Sequence, residues 1–344
     1  MNNDCRARLA ELVRLRYPEV ATPNAARRFR DRHGPDLRSL SSWEPDTLQG
    51  VHLPELGSVD LGGPVSYRTW DGPVDTAFVL VHGLGASHLS WVQVAEGLSG
   101  LGRVIALDLP GFGTSPLAGR GARMMDQRRT LSDLLRWVGA SRVVLCGNSM
   151  GGATSILQAA VEPSSVDGIV LTNSVFPWRF GAVPHPLVLA AFGVYATPWL
   201  GEGVVSWRVR EMDPDQMVRL SLRVLAANPP SIPDDVVRLL VDLTSERRND
   251  PDIARAFIDA TRSMLRLGRR PHVSRRALEH VSCPVLLLHG RRDRLVPAAF
   301  AEAELARHPA WRGRFFNDLG HIPQMEAPGR WLAEVADWFA DTYD

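Results

Sequence analysis

The stretch that most limits what this chain can become is Val143-Val144-Leu145-Cys146-Gly147-Asn148-Ser149-Met150-Gly151-Gly152. Its opening residues are apolar and partly β-branched, the composition of a strand buried on both faces. The run stops in Gly-x-Ser-x-Gly, and Ala153 to Val161 then has helical composition. Strand, tight turn and helix in that order present a serine hydroxyl at a helix N-terminus. Unpaired amides and the helix dipole favour an anion there. Ser149 is therefore expected in a strained backbone conformation, with Gly147 and Gly151 letting strand and helix pass closely. A glycine-rich turn with a capping serine would use the same letters. The strand before it and the helix after it favour a nucleophile.

Similar apolar runs recur on both sides of this stretch. Ala77 to Val81, Val104 to Leu107 and Ile169 to Leu171 are near-continuous, as is Pro284 to Leu288. Helical patterns separate them over His88 to Leu98, Thr130 to Val138 and Ala153 to Val161. A helix is expected around Ala298 to Arg307, a last strand near Arg314 to Phe316, and a last helix over Arg330 to Phe339. That alternation predicts an α/β fold whose parallel sheet is covered on both faces. Two further strands are expected at the start, Gln49 to Leu56 and Val65 to Trp70, joined through Gly62-Gly63.

Composition removes several function classes. All 39 basic residues are arginine, so a Walker-type phosphate loop, a Schiff base and a catalytic lysine are excluded. A net charge of +1 supplies no general field for nucleic acid. Cys5, Cys146 and Cys283 are too widely spaced for a zinc or redox motif, and an odd, sparse count suggests a reducing compartment. The Arg- and Asp-rich N-terminus lacks a signal peptide's apolar core, and no apolar run reaches membrane-spanning length. A cytoplasmic location without stable membrane insertion is the expectation. Oligomeric state is not legible.

Two segments differ from the alternating pattern. Up to position 40 there are nine arginines against five acidic residues. Leu9, Leu12 and Val13 share a helical face, so residues 1–45 are expected to form a basic helical extension. A helix packed on the main domain with a solvated arginine face is preferred here to a patch for an acidic partner or anionic lipid. Between the strands ending near Phe176 and starting at Pro284 lies a helical insertion, 176–277. Seven of the chain's 25 aromatic residues fall within 176–207. An insertion above the strand C-termini is expected to form a lid and one wall of an apolar pocket.

Three more motifs stand at the ends of expected strands, where open parallel sheets bind ligands. His82-Gly83-Leu84-Gly85 offers the Leu84 amide to pair with that of Met150 as an oxyanion hole. Asp108-Leu109-Pro110-Gly111-Phe112-Gly113 shapes the loop after the next strand. Neither completes a dinucleotide fingerprint, because His88 and Pro116 occupy the third glycine positions. After the strand at 285–288, Asp293 is the candidate carboxylate, though an aspartate in such a loop is more often a cap. His321 follows Gly320 beyond the last strand. Ser149, Asp293 and His321 thus lie on three separate strand ends, as an acyl-transfer triad requires.

This order, with His82-Gly83-x-Gly85, Asp108-x-Pro110-Gly111-x-Gly113, Gly147-x-Ser149-x-Gly151, Gly290-x-x-Asp293 and Gly320-His321, resembles the α/β-hydrolase superfamily over roughly residues 50 to 344. The resemblance implies an α/β-hydrolase fold: a mostly parallel eight-stranded sheet, helices on both faces and an inserted helical cap. It implies core segments 46–175 and 278–344 around a cap at 176–277. It also implies Ser149 as nucleophile, His321 as base, Asp293 as its partner, and no cofactor or metal. Epoxide hydrolases and haloalkane dehalogenases carry aspartate where this chain has Ser149. Gly-Asn-Ser-Met-Gly-Gly is similar to the elbow of the meta-cleavage C–C bond hydrolases. Those enzymes usually have Trp after the catalytic histidine, whereas Ile322 stands here, and Ala86-Ser87 also departs from them. The expected activity is therefore hydrolysis of a small-molecule carboxylic ester or lactone with an apolar group. C–C cleavage and a non-catalytic ligand receptor are the alternatives. Trp178, Arg179, Phe180 and Ile322 are expected at the substrate pocket, Arg179 being able to meet an acidic substrate.

Overall fold

The structure, a computed structural model, describes residues 53–177 and 183–343. The extension expected over 1–45 lies outside the described residues, as do Trp178, Arg179 and Phe180. Eight strands form one sheet: β1 (Gly57–Asp60), β2 (Pro64–Trp70), β3 (Thr76–Val81), β4 (Arg103–Leu107), β5 (Arg142–Asn148), β6 (Gly168–Thr172), β7 (Val285–Gly290) and β8 (Arg312–Phe316). Their spatial order is β1-β2-β4-β3-β5-β6-β7-β8. β2 runs antiparallel to both β1 and β4, and every other neighbouring pair is parallel. The mostly parallel eight-stranded sheet expected from the motifs is present.

β3 to β7 are buried along nearly their whole length because helices cover both faces. Alternate residues serve opposite sides, following the two-residue period of a strand. Phe78, Leu80, Val144, Cys146 and Leu286 pack with Trp91, Leu98, Trp331 and Phe339. Those partners come from α1 (Val92–Ser99), the turn before it, and the final helix. Val79, Val81, Leu145, Ile169 and Leu287 pack with Leu131, Leu135, Ile156 and Phe300 on the other side. These belong to α2 (Met124–Val138), α3 (Met150–Val161) and the helix after β7. Two cores therefore sandwich the sheet and fix the strand ends relative to one another.

The first strand differs from expectation. Of the strand expected over 49–56, residues 49–52 lie outside the described residues, 53–56 are in no strand, and β1 begins at Gly57. Pro54 removes an amide donor, and β1 is an edge strand with alternating exposure and no apolar run to mark it.

Among the described residues six α-helices fill the insertion between β6 and β7: α4 (Pro186–Ala196), α5 (Leu200–Glu211), α6 (Pro214–Leu225), α7 (Asp234–Glu246), α8 (Ile253–Gly268) and α9 (Pro271–Glu279). α9 returns to the core and packs on α3. The rest form the inserted helical cap region, stitched to the loops at the sheet's C-terminal edge. Arg247 donates to the Gly111 carbonyl at 2.8 Å. The His321 amide donates to Leu225 O at 2.7 Å. α10 (Ala298–Arg307), α11 (Pro323–Glu326) and α12 (Pro328–Tyr343) complete the core. Among the described residues no single helix is long and apolar enough to cross a membrane.

The aromatic run at 176–207 does not all turn inward. Phe176 is buried and Phe192 and Tyr195 are partly covered, but Trp199 and Trp207 face outward. Of the eleven residues of α4 only Val188 is buried.

Candidate active site

Ser149 joins β5 to α3 with φ 54° and ψ −115°, in the left-handed half of conformational space that non-glycine residues avoid. Hydrogen bonds hold this backbone in place. The Ser149 amide donates to Thr172 O at 3.0 Å, and its carbonyl accepts from Val175 N at 3.3 Å. Close passage of strand and helix follows from the glycines. A Cβ on Gly147 would lie 2.6 Å from the Gly151 carbonyl carbon, and one on Gly151 would overlap the Val81 carbonyl. The strain expected at the serine is present.

Met150 opens α3 and is fully buried. First-turn amides have no acceptor within their own helix, which leaves that of Met150 at the serine. Gly83, the residue before Leu84, passes close to the serine: a Cβ on it would sit 3.3 Å from Ser149 Cβ. His82 shapes this loop. Its Nδ1–H donates to Gly83 O at 2.7 Å, while Nε2 accepts from Leu109 N at 3.0 Å. Burial lowers the His82 pKa, in keeping with the neutral ring that this pairing needs.

Asp293 and His321, 28 residues apart, meet with Oδ2 2.7 Å from Nδ1. The carboxylate is fully enclosed. Oδ1 accepts from Leu295 N at 2.7 Å and Val296 N at 3.0 Å. Oδ2 also accepts from Asn173 Nδ2 at 2.7 Å. Burial pushes its pKa upward, but the His321 charge and hydrogen bond, His289 and Asn173 outweigh it. The net effect keeps Asp293 ionised below the ordinary carboxylate range. An ionised carboxylate only accepts, so the proton sits on His321 Nδ1 and leaves Nε2 as the basic nitrogen.

Ser149 and His321 are tied by the residue before the serine. Asn148 Nδ2 donates to His321 O at 3.1 Å and to Thr172 O at 3.0 Å. Glu326 of α11 joins the His321 loop to the cap, accepting from Gly320 N at 2.8 Å and from Ala227 N of the cap at 2.8 Å. Ile322 is buried, in a core cluster that also takes in Leu222, Ala226 and Ile232 of the cap. Leu84, Val175 and Phe257 are partly buried apolar groups of the core on that side of the sheet, and the Val175 amide hydrogen-bonds to the serine carbonyl. Phe257 of α8 lies over Gly85.

The loop beginning at Asp108 has its own buried pair. His88 Nδ1 donates to Asp108 Oδ2 at 2.9 Å, and His88 Nε2 accepts from Arg68 Nε at 3.0 Å. Asp108 also accepts from the His88 and Thr114 amides, at 2.6 and 2.7 Å. This brace joins the loops after β3 and β4. Among the described residues no group of three or more His, Cys, Asp or Glu is arranged to hold a metal ion.

Sequence reasoning missed Asn173, Glu326 and Phe257. Asn173 sits just after β6 at φ 44°. Its Nδ2 bridges Asp293 Oδ2 and Gly320 O, while its Oδ1 accepts from Gly290 N at 3.1 Å. One available signal was an asparagine at a strand end, a residue that tolerates the left-handed conformation.

A sequence profile of the Alpha/beta hydrolase family matches residues 78–335. The 2-hydroxy-6-oxononadienedioate/2-hydroxy-6-oxononatrienedioate hydrolase of Cupriavidus pinatubonensis is 26% identical, over 76% of this chain and 86% of its own. The corresponding hydrolase 1 of Dechloromonas aromatica is 25% identical, over 87% of this chain and 98% of its own. A thermophilic esterase from Thermogutta terrifontis superposes with a TM-score of 0.63 at 23% identity, over 85% of this chain and all of its own, a likeness of fold.

Proposed function

We propose that this chain, which belongs to the α/β-hydrolase family, is a serine hydrolase that attacks a substrate carbonyl through Ser149, His321 and Asp293. The observation that carries the reading is the position of His321. Its ring is held at 2.7 Å by Asp293 and its carbonyl is held by Asn148, the residue before Ser149. His321 Nε2 takes the proton from the Ser149 hydroxyl as the oxygen bonds to the carbonyl carbon. The amides of Leu84 and Met150 receive the oxyanion, each such donor being worth ~2.7–4 kcal/mol in the transition state. His321 then protonates the leaving group and activates water, which releases the acid and restores the serine. Residues 176–277 act as the cap, with 46–175 and 278–344 as the two parts of the core.

The bond broken has a first and a second reading. The activities named for the two hydrolase relatives support cleavage of a C–C bond in a meta-cleavage-type vinylogous diketone. Ser149 would attack the ketone, and the electron pair of the broken C–C bond would pass through the conjugated chain to the distal carbonyl oxygen, which takes a proton so that the fragment leaves as an enol. Ile322 directly after His321, with the apolar Val175 hydrogen-bonded to the serine carbonyl and Phe257 over Gly85, favours the second, a carboxylic ester or lactone. The deciding experiment compares kcat/KM for a vinylogous diketone acid, p-nitrophenyl esters and lactones in the parent and in Ser149→Ala. A diketone preference supports the first reading and an ester or lactone preference the second. Turnover that survives Ser149→Ala rules out both.

A further inference from the structure

We infer that the α4–α5 elbow of the cap, with the arginine face of α8 beside it, docks on an anionic phospholipid surface. The inference is independent of which bond the site cleaves. α4 reads Pro-Leu-Val-Leu-Ala-Ala-Phe-Gly-Val-Tyr-Ala, and only Val188 of it is buried. Leu187 is 76% exposed. α5 leaves α4 at a bend of 110°. At the apex stands Trp199, 90% exposed and held at φ 66°. Leu200 and Trp207, seven residues apart and hence on one face of α5, are exposed as well.

A water-soluble surface rarely gathers this many large apolar groups without something to cover them. Tryptophan at the tip of such an element suits the headgroup boundary of a bilayer, where its ring is apolar and its N–H remains wet.

Charge selects the occupant. Arg262 of α8 donates to Thr197 O at 3.0 Å and pairs with Glu202, which places α8 against the apex. Arg266 and Arg269 follow at i+4 and i+7 on the same helical face, and both are exposed. From residue 260 to 278 there are six arginines and no acidic residue. Apolar side chains rimmed by arginine match an anionic membrane surface, which attracts the rim while the apolar groups enter the acyl boundary. The chain's own first 40 residues carry nine arginines against five acids. They would meet this rim with like charge, and so would the same rim of a second copy.

A chain of ring contacts runs from the docking face to the loop after β3. Tyr195 of α4 packs edge-on against Phe257 of α8, with ring centroids 5.3 Å apart. Phe257 in turn covers Gly85.

The test is flotation of the full chain with phosphatidylcholine vesicles, with and without phosphatidylglycerol, at two salt concentrations. The expected result is partitioning onto the anionic vesicles that weakens with salt. Leu187→Ser with Trp199→Ser should reduce it about tenfold or more. Arg266→Glu with Arg269→Glu should remove the preference for phosphatidylglycerol. Unchanged melting temperatures show that these variants fold. Ser149→Ala should bind as the parent does, so failure of the active-site assignment leaves this result untouched. Absence of vesicle binding, or binding unaffected by the cap substitutions, overturns the inference. So does a parent dimer that the Trp199 substitution converts to monomer, since the occupant would then be a second copy.

Discussion

Asn148 donates from one side-chain amide to the main-chain carbonyl of His321, at 3.1 Å, across 173 residues of sequence. The same nitrogen reaches Thr172 O at 3.0 Å. The residue carrying the nucleophile's turn is thereby fastened to the loop carrying the imidazole. Asn148→Ala removes both bonds, which frees the His321 carbonyl while Thr172 O keeps the Ser149 amide as donor. A displacement of about 1 Å between reacting groups costs ~100-fold. Asn148→Ala is expected to lower kcat by about 10- to 100-fold with little change in KM. Steady-state kinetics on whichever substrate the parent turns over checks this, and an unchanged kcat contradicts it.

Asn173 supports the carboxylate from behind. Asn173→Ala unpairs Gly320 O and Gly290 N and removes one of the two donors to Asp293 Oδ2. Each buried group left unsatisfied costs ~1–3 kcal/mol, so a clear fall in melting temperature should accompany a fall in kcat. Asn173→Asp sets a second carboxyl against Asp293 Oδ2, and two like charges that close cannot both ionise. Activity in that variant should be lost at neutral pH even where the protein stays folded by circular dichroism.

Two glycine substitutions should behave in opposite ways. A Cβ on Gly151 would overlap the Val81 carbonyl and lie 2.6 Å from His82 O, both rigid backbone. Gly151→Ala should therefore fail to fold or lose many degrees of thermal stability. Gly62 has φ +71°, but nothing lies within 4 Å of the place a Cβ would take there. Gly62→Ala should cost only the left-handed backbone penalty, ~1–2 kcal/mol. Thermal melts of the two, side by side, separate close approach from conformational strain.

Glu162 at the end of α3 predicts acid sensitivity. The Ser132 hydroxyl and the Arg128 guanidinium hold its carboxyl at about 2, below its ordinary 4.5. The folded state therefore binds this proton more weakly than the unfolded chain does. Its stabilisation is complete above about pH 4.5 and is lost as pH falls toward 2. The carboxyl is about a third exposed, so solvent moderates the size of the effect. Glu162→Gln should flatten the melting-temperature profile across that window. An unchanged slope would mean that other carboxylates dominate it.

The sequence made the central strands legible because helices on both faces demand continuous apolar runs, as at Ala77 to Val81 and Val143 to Cys146. β1 carried no such demand at the sheet edge, and its position was missed. The Asp293–His321 contact was anticipated from strand-end placement. Asn173 was not, because its role exists only where the ends of β6, β7 and β8 converge. The aromatic count over 176–207 pointed to an apolar lining, yet Trp199 and Trp207 face water. Composition reports how much apolar surface a segment carries, whereas its direction depends on the bend between α4 and α5.

The most direct test of the proposed chemistry is stoichiometric reaction with a fluorophosphonate, read by intact mass and peptide mapping. One adduct per chain is expected, on Ser149, absent in Ser149→Ala and formed much more slowly in Asp293→Asn. A parent protein that stays unmodified, or one modified at another residue, would contradict the assignment.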